Sequence, residues 1–315
     1  MSGSAIRRAA VVDIGSNTIK ILVGEALPGG GVVVLHDQSV ECRISRGMYK
    51  ELPRFTGTAM REAARAVRTL LEGARPFEPR QVEILATSAV RDAENRDDFV
   101  RLIDECCGRT LRILTGAEEA AGIARGIAVE PDLDPGADYT VADLGGGSLE
   151  WIHSRGGGIA HLASLDLGAV RLLHRFVPDP AAPLPPSAAA AIRDFCLDVF
   201  ARSLPRLGSG PGRRHWGTGG AFTITRLLLA GESGRPLPDQ SNEIPLRDIR
   251  RLSKKLAALD LEDRKSVPGL PPPRADILPV ALVVLEALAS HTGADRFYHS
   301  FHNLRMGRLA MLLEK

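Results

Sequence analysis

Cysteine is scarce in this chain, with four in 315 residues, and none stands in a CxxC pair. Cys42, Cys106, Cys107 and Cys196 give no disulfide framework, which points to a reducing, cytoplasmic setting. No apolar run reaches the ~20 residues that span a bilayer. Residues 1–10 carry Arg7 and Arg8 but lead into a strand too short for a signal peptide's apolar region, so neither export nor a membrane partner is expected. Charge of one sign is also missing. A net charge of +2 offers no broad basic field, and nucleic acid is not an expected partner. Any polyanion must be met locally. Aromatic residues make up only 4%, but 44% of the chain is hydrophobic, enough for a substantial core and two domains.

What is present is a phrase written twice. Val12-Asp13-Ile14-Gly15-Ser16-Asn17-Thr18-Ile19-Lys20 is echoed by Ala142-Asp143-Leu144-Gly145-Gly146-Gly147-Ser148-Leu149-Glu150. Each copy reads as a strand ending in Asp, a Gly-centred turn with a hydroxyl at its far end, and a second strand. Such turns let successive backbone N–H groups converge on an anion without bulky side chains in the way. An ordinary hairpin turn explains either copy alone; the duplication, with Asp at the same place in both, favours a pair of phosphate cradles. The dinucleotide fingerprint is excluded by context, because its glycine loop opens a helix whereas both turns here lead into strand-like segments.

The rest of the pattern repeats on the same scale. Strands are expected near 9–14, 19–26 and 31–37, with Pro28-Gly29-Gly30-Gly31 as a turn. A helix at 56–73 capped by Thr56, a strand at 82–86, a helix at 97–106 ended by Gly108, a strand at 111–114 and a helix at 118–127 follow. After Pro131 to Gly136 the pattern restarts, with strands near 139–144, 149–154 and 159–165 and a turn at Gly156-Gly157-Gly158. Helices at 187–204, 221–229, 246–259 and 274–291 and a buried strand ending at Trp216 complete it. The expected division is 1–130 and 131–315, with the last helix allowed to pack back on the first lobe, and the expected ligand site is a cleft between similar lobes.

Six motifs in order, Asp13-Ile-Gly-Ser-Asn-Thr, 86–96 (ATSAVRDAENR), Gly116-Ala-Glu-Glu-Ala, Asp143-Leu-Gly-Gly-Gly-Ser-Leu-Glu, Gly217-Thr-Gly-Gly and 267–276 (VPGLPPPRAD), resemble those of the exopolyphosphatase/guanosine pentaphosphate phosphohydrolase family. The resemblance implies an α/β fold of two ribonuclease H-like (actin-like ATPase) lobes. Each would be a mixed sheet with flanking helices, and the active site would lie in the cleft between them. It implies metal-dependent removal of the terminal orthophosphate of inorganic polyphosphate. Guanosine pentaphosphate 5′-phosphohydrolysis is the alternative, since the motifs hold phosphates and say almost nothing of a guanosine.

Hydrolysis of a phosphoanhydride needs a held phosphate, a positioned water, a base and positive charge on the phosphoryl oxygens. Ser16, Asn17, Gly145, Gly146, Gly147 and Ser148 are placed to hold phosphate, with Thr218 and Gly219 as a further turn, and Arg91 can offer a bidentate guanidinium. By motif the family's catalytic glutamate falls on Glu119, while Glu118 reads as a neighbour that favours a helix N-terminus. Asp13, Asp143 and Glu150 stand beside turns assigned to an anion. A carboxylate ~4 Å from a phosphate oxygen is repelled by roughly 1 kcal/mol in water and about 4 kcal/mol at an effective dielectric of 20. A hard divalent cation, magnesium or manganese, cancels that. Asp143 and Glu150 match the family's metal-linked acids, and Asp13 is the weaker candidate.

The chain departs from the family in places. Met306 stands where Gly-Leu-Arg-Glu-Gly usually carries Glu, although Arg305 is kept as a candidate phosphate or lobe contact. The strand-like segment Glu41-Cys-Arg-Ile-Ser-Arg-Gly-Met also diverges. Longer members continue into helical C-terminal domains that help retain long polyphosphate, so processive digestion of long polymers is not expected and short chains would be preferred. His299 and His302 have metal-like spacing but read as structural, and Trp216 reads as core. A sugar or acid kinase of the same fold is the more distant enzyme alternative, and a nucleotide-binding scaffold or filament protein the non-enzymatic one. The latter leaves Glu119 and Arg91 without a role. A homodimer is one state the resemblance allows.

Overall fold

The computed structural model describes residues 7–28, 30–48, 53–207 and 212–314; Gly29 of the expected turn, and residues 1–6, lie outside them. The chain divides into two compact units, Met1–Leu133 with His302–Lys315, and Asp134–Phe301.

Unit 1 begins with β1 (Arg8–Ile14), β2 (Thr18–Ala26) and β3 (Val32–Glu41). It continues through α1 (Gly57–Ala74), β4 (Gln81–Ala86), α2 (Ser88–Asp92), α3 (Arg96–Cys107), β5 (Leu111–Ile113) and α4 (Gly116–Ile127). The sheet order is β3-β2-β1-β4-β5, antiparallel across the first three strands and parallel from β1 through β4 to β5. β1 alternates its small and branched residues between two covered faces. Ala10, Val12 and Ile14 pack with Ile19, Ile21 and Val23 against Ala63, Val67 and Leu70 of α1 and Phe99 and Ile103 of α3. Thr56 caps α1 by accepting from the Ala59 amide at 3.1 Å, and Gly108 ends α3 in the left-handed conformation.

Unit 2 runs through β6 (Tyr139–Leu144), β7 (Leu149–Arg155), β8 (Gly158–Leu165), α5 (Ala169–Phe176), α6 (Pro186–Ser203), β9 (Arg214–Thr218) and α7 (Gly220–Ser233). Then come β10 (Glu243–Pro245), α8 (Leu246–Ala257), α9 (Leu261–Lys265), α10 (Leu278–Thr292) and β11 (Arg296–His299). The sheet order is β10-β11-β9-β6-β7-β8. α10 is apolar around nearly its whole circumference and correspondingly buried, the pattern of a helix enclosed on all sides. Arg264 is also buried, its guanidinium donating to the carbonyls of Leu256, Pro180 and Ala182 at 2.9, 3.1 and 2.9 Å.

The chain then returns to unit 1 as α11 (Leu304–Glu314), which packs on α4, β1 and β2. Small residues allow the crossing: a Cβ on Gly307 would collide with the Gly122 carbonyl, and one on Gly126 with the Asn303 carbonyl.

The duplication extends to details of the two hairpins. Gly15 N–H bonds Thr18 O at 3.2 Å, and Gly145 N–H bonds Ser148 O at 3.1 Å. Asp13 is paired with Lys20 and Asp143 with Glu150. β2 shifts register against β3 between Val23 and Gly24, and β7 does so against β8 at the corresponding place, between His153 and Ser154.

At the start of β6, Asp138 Oδ1 accepts from Arg213 Nε and His153 Nε2, both at 2.9 Å, and Oδ2 from Arg213 Nη2 at 3.0 Å. The Arg213 guanidinium, helped by His153, holds the Asp138 carboxyl at about 2, below its ordinary 3.8. A carboxyl lowered by folding stabilises the native state at neutral pH, and that contribution is lost as pH falls through the folded value. The stability difference between the parent and Asp138→Asn should therefore be constant above about pH 5 and shrink towards pH 2, as read from urea unfolding across that range.

Candidate functional site

In unit 1 the predicted residues follow the ends of three adjacent parallel strands. Ile14, Ala86 and Ile113 lie in register at the C-terminal ends of β1, β4 and β5. Ser16 and Asn17 follow β1, Arg91 follows β4 on α2, and Glu119 follows β5 on α4. Open α/β sheets place ligands outside the carboxyl ends of their strands.

Arg91 Nη1 donates to Leu114 O at 2.7 Å and to Glu119 Oε2 at 3.1 Å. The Glu119 side chain is only 8% exposed. Glu118, one residue earlier, has a different task. It closes a capping box with Thr115 and receives Arg112 Nη2 at 2.5 Å. The bond from the Thr115 amide, then Arg112, hold its carboxyl at about 2. Two adjacent acids are thus separated into a helix cap and a buried carboxylate beside a guanidinium.

The Ser16–Asn17 turn has its carbonyls occupied from behind. Ser16 O accepts from the Ser45 amide at 3.3 Å and from Ser45 Oγ at 3.0 Å, and Asn17 O accepts from the Cys42 amide at 3.0 Å. The donors come from 42–48, expected to be strand-like. β3 instead stops at Glu41, and the segment coils over the turn with Cys42, Ile44, Ser45 and Met48 buried. Both polar atoms of the Asn17 side chain and Asp13 Oδ1 are buried without a hydrogen-bond partner. Burial pushes the Asp13 carboxyl up, against Arg305 and then Lys20. A buried unsatisfied group costs about 1–3 kcal/mol, so a water, an ion or a ligand is needed to complete the bonding of Asp13 and Asn17.

Unit 2 repeats the arrangement with other residues. Asp143 lies in register with Thr218 of β9, so the turn 145–148 and Thr218-Gly219 follow neighbouring parallel strands. The amides of Ala169 and Val170 donate to Gly145 O at 3.0 Å and Gly146 O at 2.9 Å. Arg171 Nε takes Gly147 O at 2.9 Å. Gly168 presses against the Gly146 and Gly147 backbone so closely that no side chain fits. Thr218 Oγ1 is fully buried and unpartnered. Gly219, at φ 85°, opens α7, where a Cβ would strike Asp143 Oδ1. Asp143 and Glu150 are directly opposite on β6 and β7. Glu150 is buried and accepts from Ser164 Oγ at 2.7 Å.

Sequence reasoning missed Ser45, Gly168 and Arg171. Nothing local flags them, since Ser45 and Arg171 act by reaching a carbonyl remote in sequence and Gly168 by packing against remote backbone.

The histidines have structural partners. His299 is held between Thr223 Oγ1 and Arg226 Nη1, both at 3.0 Å, and His302 Nδ1 bonds Glu130 Oε2 at 2.9 Å. Trp216 is fully buried in β9. Arg305 reaches Ile21 O at 3.2 Å and Asp37 Oδ1 at 2.5 Å, tying α11 to β2 and β3. Among the described residues no group of three or more His, Cys, Asp or Glu is arranged to hold a metal, and no helix is long and apolar enough to cross a membrane.

Two mixed sheets with flanking helices, each carrying an Asp-turn hairpin at its centre, define the actin-like ATPase class of fold. The model of the Ppx/GppA phosphatase family matches residues 24–315, and the chain belongs to that family. It is 30% identical over 318 aligned residues to exopolyphosphatase 2 of Mycobacterium tuberculosis, covering 96% of this chain and 98% of that one. A crystal structure of an exopolyphosphatase from Cytophaga hutchinsonii superimposes with a TM-score of 0.84 at 22% identity, covering 98% of each chain. The Ppx/GppA enzyme of Aquifex aeolicus gives 0.79 at 19% identity, over 97% of this chain and 99% of the other.

Proposed function

We propose that this chain is an exopolyphosphatase, hydrolysing the terminal phosphoanhydride of inorganic polyphosphate with Glu119 as general base. The observation that carries the reading is the Arg91–Glu119 pair, whose members follow β4 and β5, the C-terminal ends of these strands being in register with that of β1, which leads into the Ser16–Asn17 turn. Relatives named exopolyphosphatase at 30% identity supply the substrate class.

The residues divide the work as follows. Ser16, Asn17, Gly145, Gly146, Gly147, Ser148, Thr218 and Gly219 bind phosphate oxygens through amides, hydroxyls and the Asn17 side chain. Arg91 spends Nη1 on Leu114 O and Glu119, which fixes the carboxylate and leaves Nε and Nη2 to face phosphoryl oxygens. Glu119 takes the proton of the attacking water as its oxygen bonds the terminal phosphorus. The anhydride oxygen leaves on the shortened chain.

Asp143 and Glu150 fit a hard divalent cation, magnesium or manganese. They are carboxylates paired across one face of β6–β7, and Gly219 keeps the space beside Asp143 Oδ1 free of a side chain. Two carboxylates with substrate phosphate and water as the remaining ligands is the usual magnesium environment. When bound, such an ion screens the repulsion between acids and phosphate and polarises the phosphoryl group. The four free cysteines support a reducing cytoplasm as the working compartment.

The test is orthophosphate release by the purified protein, with magnesium, from short polyphosphate, long polyphosphate, guanosine pentaphosphate, and ATP with a sugar panel. Release from polyphosphate, abolished by EDTA and restored by magnesium, is expected. Release from guanosine pentaphosphate alone would move the substrate to the nucleotide, and a phosphorylated sugar would overturn the hydrolase reading.

A further inference from the structure

The two anion turns are held by the same device built from unrelated parts. In each, the carbonyl oxygens are bonded from behind. Unit 1 uses the amide and hydroxyl of Ser45 and the amide of Cys42, and unit 2 uses the first amides of α5 and the guanidinium of Arg171. A trans peptide is planar, so its N–H points opposite to its C=O. Pinning Gly145 O, Gly146 O and Gly147 O therefore turns the N–H groups of Gly146, Gly147 and Ser148 to the other side together. Three successive amides aimed one way form an anion nest. Glycine gives this loop the freedom to lose that arrangement, because it populates both signs of φ with similar ease.

The three pins are not equivalent. Gly145 O and Gly146 O are held by backbone amides that no substitution at 169 or 170 other than proline removes. Gly147 O receives a side chain, Arg171 Nε at 2.9 Å, and that side chain is itself steadied by Asp166, 3.3 Å from Nη2. We propose that Arg171 is a positioning residue for substrate binding, which acts by fixing the peptide between Gly147 and Ser148 so that the Ser148 amide faces the phosphate. This deepens the phosphohydrolase reading and rests on it.

The test uses magnesium tripolyphosphate binding by calorimetry to the full chain carrying Glu119→Gln, which prevents turnover. Adding Arg171→Met should weaken binding about tenfold, equivalent to about 1.4 kcal/mol, without lowering the melting temperature. Arg171→Gln, neutral but still a donor to a carbonyl, should recover most of the loss, and in the active background Arg171→Met should raise KM more than it lowers kcat. Affinity unchanged by Arg171→Met would overturn the proposal. So would full recovery by Arg171→Lys with none by Arg171→Gln, since charge alone would then be the cause. If the parent bound no tripolyphosphate, the phosphohydrolase reading itself would fail. If the parent bound and only the Arg171 series stayed flat, that reading would stand without this one.

Discussion

Glu119→Gln should lower kcat for orthophosphate release by ~10²–10⁴, the usual contribution of a positioned general base, with KM changed far less. The amide keeps the shape of the side chain and can still meet Arg91, so phosphate binding and the helix start survive while proton acceptance is lost. Glu118→Gln is the internal control. Gln also serves at the third position of a capping box, so the neighbouring substitution should cost little activity. Steady-state kinetics on short polyphosphate, with circular dichroism to confirm the fold, checks both. Full activity in Glu119→Gln would remove the base from the mechanism, and an equal loss in Glu118→Gln would show that the helix start, and not the carboxylate, is being measured.

Gly168→Ala should be nearly as damaging, although residue 168 carries no reacting group. One methyl there meets the backbone of Gly146 and Gly147, and backbone cannot swing aside as the tip of a flexible side chain can. Either the loop moves or α5 does, and in both cases the amides of 146–148 leave their places. A displacement of ~1 Å in a substrate-positioning group costs on the order of 10²-fold, so kcat/KM for polyphosphate should fall by about that much. Binding of tripolyphosphate should weaken in parallel, which distinguishes this variant from Glu119→Gln. Unaltered kcat/KM would mean that the loop tolerates the shift and is no phosphate cradle.

Most of the central sheet of each unit was legible in the sequence, because runs such as Ala9–Ile14 and Tyr139–Leu144 are buried on both faces and break at glycine turns. The helices with marked ends were legible for the same kind of reason: Thr56 and Gly108 sit where a cap is needed. α2, α5, α9, β10, β11 and the extent of α11 were not. They are short, and α5 begins without a side-chain cap. Its first amides are satisfied by Gly145 and Gly146, a partner far away in sequence. The site shows the same split. Asp13, Asn17, Asp143 and Thr218 announce themselves as polar residues at strand ends, and Glu119 as an acid in the first turn of the helix after β5, where their types have a chemical purpose. Ser45 and Arg171 resemble any surface serine and arginine until the chain folds a carbonyl onto them.

The route of the backbone sets an order of assembly. Residues 134–301 interrupt unit 1, in which α11 packs on β1 and β2 of the sheet and against α4. During synthesis the inserted unit is made before α11 is, so the Gly122 and Gly126 surface of the earlier unit stays uncovered until α11 emerges to pack on it. A released chain ending at Phe301 should hence show a protease-resistant second half and a first half still open to digestion, the reverse of the N-terminal-first order usual for multidomain proteins.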